Sequence, residues 1–267
     1  MFKLEGIAKT YGGSGKKAVD SLDLEIRKGE IFGFLGPNGA GKTTTIRILT
    51  GVLRPDAGRV TLDGIDLERE PLRAKARFGA VPDDPELWNR LKAREYLDFM
   101  GDVYGVPTKE RRERIAELAA RFALAEVLGS SIGSFSRGMK QKLCVIGSLL
   151  HEPANWILDE PMVGLDPQAS FDLKALMRKR ADAGGSVFFS THVLEVAERI
   201  CDRIGVIAGG RLLFAGSIEE LRSLRAATRN GAAIAGGDGA GKAPAAAEGT
   251  DASLESLFLE LVEGGPS

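Results

Sequence analysis

An apolar run that breaks at a glycine-rich loop and resumes as a helix restricts the fold of this chain more than any other stretch. Glu30-Ile31-Phe32-Gly33-Phe34-Leu35 reads as a buried strand, and Thr44-Thr45-Ile46-Arg47-Ile48-Leu49 as the helix that follows. The loop between them is Gly36-Pro37-Asn38-Gly39-Ala40-Gly41-Lys42-Thr43-Thr44. Gly36, Gly39 and Gly41 carry no Cβ, so the backbone can curl into a nest whose N–H groups converge on an anion. The positive end of the helix adds to the same point. Lys42 is placed to reach the β- and γ-phosphates of a ligand, and the Thr43 hydroxyl to bind Mg2+. The segment predicts an α/β protein that holds phosphate at the tip of a strand.

The chain carries its own control for this motif. Gly239-Ala240-Gly241-Lys242 repeats the letters GAGK, but no strand precedes it, and Ala243 stands where the hydroxyl is needed. Its surroundings are rich in Ala and Gly, so the copy reads as linker composition.

A phosphate loop alone leaves a GTPase, a kinase, a helicase and a transport motor open. Asn155-Trp156-Ile157-Leu158 fits a central strand and ends in Asp159-Glu160 before Pro161, which cannot continue a ladder. Two acids at a strand tip can divide the work. Asp159 is placed to hold Mg2+ through its water shell, and Glu160 to orient or deprotonate a water attacking the γ-phosphate. Between the two sites, Phe135-Ser136-Arg137-Gly138-Met139-Lys140-Gln141 opens a helix whose apolar face is Met139, Leu143, Ile146 and Leu150. Ser136 and Gly138 fall at its N-terminus, where a hydroxyl and free N–H groups can receive an anion or simply cap the helix.

These motifs, in this order, resemble the nucleotide-binding subunit of ATP-binding cassette proteins over residues 1 to about 225. "GPNGAGKTT" is similar to the family's Walker A loop, "WILDEP" to its Walker B strand, and "FSRGM" to its LSGGQ signature, with Ser136 and Gly138 kept. "GLDP" resembles the D-loop, with Asp166 as its acid, and "STHVLEVAE" the switch segment, with His192. The resemblance implies a P-loop NTPase fold with a mostly parallel core sheet, an antiparallel β subdomain, a helical insertion at about 87–150 and a short C-terminal extension. It implies ATP and Mg2+ as ligands, with Tyr11 stacked on adenine, Glu160 as catalytic base and His192 as a polar sensor of the γ-phosphate. It also implies that Asp166 is a nucleotide-binding residue and that Ser136 and Gly138 serve the nucleotide of a second cassette, so that two subunits close around ATP. One position departs from the family. The strand Phe78-Gly79-Ala80-Val81-Pro82 is followed by Asp83-Asp84, where Gln or sometimes Glu is usual. Asp83 can still meet Mg2+ or its water, with a shorter side chain and no amide donor.

Composition narrows the partners. Lys+Arg 36 against Asp+Glu 37 leaves a net charge of −1, so no basic field advertises nucleic acid. Glu110, Glu113 and Glu117 interleave with Arg111, Arg112 and Arg114, as on a solvated helix face. The apolar stretches fall short of the ~20 residues that span a bilayer, and no secretory signal is legible at the start. Cys144 and Cys201 are isolated, as expected of reduced thiols in the cytoplasm. The expectation is an ATPase subunit, more exporter-like than importer-like, at the cytoplasmic face of the membrane beside a separate integral permease. The alternative is a soluble cassette protein acting on ribosomes or DNA. Fourteen of the residues from Gly231 to Thr250 are Gly or Ala, which marks 226–250 as a linker. Beyond it, in 251–267, Leu254, Leu257, Phe258 and Leu261 form one apolar stripe after Asp251 or Ser253 as cap. That helix is expected to dock on its own domain or on a partner.

Overall fold

A computed structural model describes residues 1–12, 15–223 and 254–263. The linker, the GAGK copy and both candidate caps of the last helix lie outside the described residues. The chain forms β1 (Phe2–Thr10), β2 (Lys17–Ile26), β3 (Ile31–Leu35), α1 (Lys42–Leu49), β4 (Ala57–Leu62), β5 (Ile65–Asp66), α2 (Pro71–Lys75) and β6 (Phe78–Val81). Three helices follow, α3 (Ala93–Val103), α4 (Thr108–Arg121) and α5 (Arg137–Leu149). Then come β7 (Asn155–Leu158), α6 (Pro167–Asp182), β8 (Ser186–Thr191), α7 (Leu194–Ile200), β9 (Arg203–Ala208) and β10 (Arg211–Gly216). Residues 218–223 are helical and are labelled α8, and Leu254–Glu263 is α9.

The central sheet has the order β10-β9-β3-β8-β7-β6, with only β10 antiparallel. A second, antiparallel sheet runs β2-β1-β4-β5. The expected fold is therefore present in each of its layers. Period-2 alternation explains why the core strands read as unbroken apolar runs. Phe32, Phe34, Ile157 and Phe188 point to the core shared with α1 and the antiparallel sheet. Ile31, Trp156, Leu158, Val187 and Phe189 point to the core shared with α3–α6. Phe188 stacks near Phe32, ring centroids 6.0 Å apart, and tilts against Phe34 at 5.4 Å. Trp156 donates its indole N–H to Ser148 Oγ at 3.0 Å, so the largest buried side chain carries no unpaired donor.

Two charged positions differ from the sequence expectation. Arg111 is buried and donates to the carbonyls of Asp98 and Val106 at 2.9 and 3.1 Å and to the Asp102 carboxylate. Arg114 donates to Leu150 O at 2.6 Å and to Glu110 and Glu152. The long stem and forked donors of arginine let these residues tie α4 to the ends of α3 and α5 instead of facing water. His151 is structural. Its ring stacks on Tyr104 with centroids 3.7 Å apart and donates Nε2–H to Phe78 O at 3.2 Å, and burial holds its pKa down at about 4.

The apolar side of α9 docks on its own chain. Phe258, Leu261 and Val262 pack against the cluster of Ala197, Ile204, Val206, Ile218 and Leu221, beside α7 and β9. Cys144 and Cys201 are free thiols, and burial pushes Cys144 up to about 12.

Candidate active site

β3, β8 and β7 are adjacent and parallel, with Leu35 opposite Thr191 and Leu158 opposite Phe189. Their carboxyl ends therefore open onto one edge of the sheet, where crossovers place ligand crevices in such folds. The loop after β3 supplies Lys42, the turn after β7 supplies Asp159 and Glu160, and the end of β8 supplies His192. A cavity of about 340 Å3 lies there, walled by Tyr11, the Pro37–Gly39 bend, Gly41–Thr44, Asp83 and Glu160. A slightly larger hollow, about 400 Å3, lies between the end of α1 and β4–β5. None of the predicted catalytic groups lines that one, whereas Lys42 and Glu160 wall the smaller cavity.

The loop has the geometry of an anion cradle. Gly39 and Gly41 have φ of +77° and +112°, and a Cβ on Gly41 would stand 2.4 Å from Ala18 O. Gly41 occupies the N-cap of α1 without a side-chain cap, so the first N–H groups of α1 face the cavity. Lys42 is only 7% exposed; its Nζ donates to Gly36 O at 2.6 Å and lies 3.5 Å from Glu160 Oε1. Ala40 packs in the core beneath. Tyr11 stands at the rim, 45% exposed, with its hydroxyl 3.3 Å from Thr44 Oγ1. Gly41→Ala is expected to lower stability by roughly 2 kcal/mol or more, through steric contact and left-handed strain together. Urea unfolding of the two proteins measures it.

The acids are fixed by hydrogen bonds. Ser190 Oγ donates to Asp159 Oδ1 at 2.6 Å and accepts from Glu160 N at 2.9 Å. This bridge holds Glu160 in a left-handed turn at φ +44°, a conformation that costs a non-glycine residue about 1 kcal/mol or more. Glu160 Oε2 lies 3.0 Å from His192 Nδ1. Burial raises the pKa of Asp159; bonds from Ser190 and Thr43 oppose that rise, and the charges of Asp83 and Glu160 add to it. A carboxylate under that load, beside a threonine hydroxyl, fits a hard divalent cation that takes oxygen ligands. Thr43 and Asp159 thus suit Mg2+, and Asp83 faces the same cavity.

Three predicted residues sit elsewhere. Ser136 caps α5, accepting from Met139 N at 3.2 Å, and Gly138 occupies the first turn of that helix. Asp166 caps α6, accepting from Ala169 N at 2.9 Å, and pairs with Lys142 at 2.6 Å. None of the three walls the cavity of Lys42. Two residues that lie inside the quoted motifs but were given no role there also belong to the site. Ser190 organises both acids, and it could have been found as the polar residue preceding Thr191-His192 at the strand end. Arg137 holds Asp83, its Nη2 donating to Oδ1 at 3.2 Å.

Comparison with known proteins agrees with this geometry. Residues 19–163 match the family model described as ABC transporter. The chain is 37% identical over 223 residues to the linearmycin resistance ATP-binding protein LnrL of Bacillus subtilis (strain 168), covering 84% of this chain and 71% of that one. It is 37% identical over 242 residues to the daunorubicin resistance ATP-binding protein DrrA3 of Streptomyces coeruleorubidus, covering 87% and 76%. A solved structure of the ATP binding subunit of an ABC transporter superposes with a TM-score of 0.84 at 29% identity, over 98% of this chain and 99% of the other. The sheet order, the phosphate cradle facing Glu160 and His192, and these likenesses have one reading: the chain belongs to the ABC transporter family, as one of its ATP-hydrolysing subunits.

Proposed function

We propose that this subunit powers export through a separate integral permease, at the cytoplasmic face of the membrane, by closing on ATP against a second cassette. The observation that carries the reading is the convergence of Lys42, Glu160 and His192 at adjacent strand ends, with Glu160 within 3.5 Å of both partners. ATP lies with its phosphates over Gly36–Thr44, with Lys42 on the β- and γ-phosphates and Tyr11 against the adenine. Glu160 orients the attacking water and accepts its proton at a carboxylate oxygen, and His192, which lies on that carboxylate, gives its one N–H to the γ-phosphate instead when ATP is bound. Thr43, Asp159 and Asp83 would hold Mg2+, which would supply charge neutralisation for phosphoryl transfer. Ser136, Gly138 and Asp166 lie outside this cavity because they serve the nucleotide of the facing cassette. The export direction rests on the resistance functions named for both relatives.

No described helix is long and apolar enough to cross a membrane. The permease therefore needs a docking surface, and the helical lobe offers one. Trp88 is 56% exposed and packs edge-on against Phe99, which is also exposed, with Val103 nearby on α3. Purification from solubilised membranes should recover the chain with a multi-span protein, and Trp88→Asp should recover the chain alone. Ribosomal co-sedimentation without a membrane partner would favour the soluble alternative instead.

A further inference from the structure

Arg137 and Asp83 are 54 residues apart in sequence and meet between two functional segments. Asp83 follows β6 and walls the cavity that contains Lys42 and Glu160. Arg137 is the first residue of α5, and its Nη2 donates both to the Asp83 carboxylate, at 3.2 Å, and to Asp83 O, at 3.4 Å. The start of α5 is also braced from the other side. A Cβ on Gly138 would stand 2.4 Å from Gly164 O, so only glycine permits that approach, and Lys142 pairs with Asp166 at 2.6 Å. Gly164 and Asp166 belong to the segment that continues from Glu160. The loops leaving the two acid-bearing strand tips thus both end on the first turns of one helix.

Asp83 has one carboxylate and two claims on it. It faces a site rich in negative charge, where Glu160 walls the cavity with Lys42 and the buried Asp159 feels the charges of both Asp83 and Glu160. A cation entering with nucleotide draws Asp83 inward, whereas Arg137 draws it outward toward α5. We propose that Arg137 is a positioning residue that competes with the Mg2+ of the nucleotide for Asp83, so that filling the site loosens the tie between the loop after β6 and the start of α5. Linkage makes the effect reciprocal: whatever holds Arg137 on Asp83 raises the Mg2+ needed to fill the site. The inference rests on the reading of this cavity as an ATP site.

Both side chains are about half exposed, 54% and 44%, so the competition is worth a small factor. The test is the Mg2+ concentration at half-maximal binding of a fluorescent ATP analogue, held at a fixed subsaturating level. Arg137→Ala is expected to lower that midpoint about two- to fivefold. Arg137→Lys keeps the charge without the fork and should fall between wild type and Arg137→Ala. In an Asp83→Asn background, Arg137→Ala should leave the midpoint where it was. An unchanged or raised midpoint in Arg137→Ala overturns the proposal. An equal shift with Asn at position 83 also overturns it, because Arg137 would then act through its field alone. Weaker analogue binding by Arg137→Ala in EDTA would place Arg137 on the nucleotide and overturn it too. Wild-type protein that binds no analogue at any Mg2+ concentration would instead remove the ATP-site reading, and this inference with it.

Discussion

Glu160→Gln is expected to bind ATP as tightly as the wild type and to hydrolyse it at least about 100-fold more slowly. The substitution keeps the shape of the side chain and leaves the Glu160 N to Ser190 Oγ bond untouched, so the turn after β7 survives. What it removes is a proton acceptor. The oxygen 3.0 Å from His192 Nδ1 and the one 3.5 Å from Lys42 Nζ belong to a carboxylate that can take a proton from water, and an amide cannot. Phosphate release measured beside analogue binding separates the two effects. If ATP-driven closure of two cassettes precedes chemistry, the variant should also persist as a dimer in ATP, which sedimentation reports. Turnover near the wild-type rate would remove Glu160 as the base.

Lys42→Ala is expected to lose ATP affinity by roughly 10- to 100-fold, the worth of one or two hydrogen bonds from a charged donor. Lys42 is buried and its nearest anionic neighbour is Glu160, so the variant also leaves Glu160 without its cation. ATP then meets a site whose charge is more negative, which compounds the loss. Isothermal titration of both proteins gives the ratio, and a thermal melt of each checks that the fold remains. Unaltered affinity would contradict the assignment of the loop after β3.

Much of this was legible because it is local. The run Ile31–Leu35, the glycine loop and the helix after it are contiguous, and so are β7 with its two acids and the apolar face of α5. Residues brought together from far apart were legible only through the family resemblance. That Lys42, Glu160 and His192 meet follows from β3, β8 and β7 being neighbours, which no single segment states. The inward turn of Arg111 depends on carbonyls of α3 and the loop after it, and its flanking glutamates made it read as surface. The β9–β10 hairpin escaped the apolar pattern because β10 is only partly buried and Gly205 interrupts β9. Its signal was the turn: Gly209-Gly210, both at positive φ, with Arg211 opposite Ala208. The stripe on α9 was readable, but its seat on α7 and β9 was not, since a stripe records how much surface must be covered and not by what.

The left-handed turn at Glu160 has an evolutionary consequence. The backbone of the turn gains nothing from a glutamate there. Glycine adopts φ +44° freely, and the strain it relieves roughly offsets the extra chain entropy it loses on folding. Loss of the acid relaxes the turn but strips buried Lys42 of its counter-charge, so the fold and the need for turnover both act on this position. A duplicated copy of this gene relieved of turnover would therefore lose only one of the two constraints on that position, and would be expected to replace the acid together with its buried lysine partner.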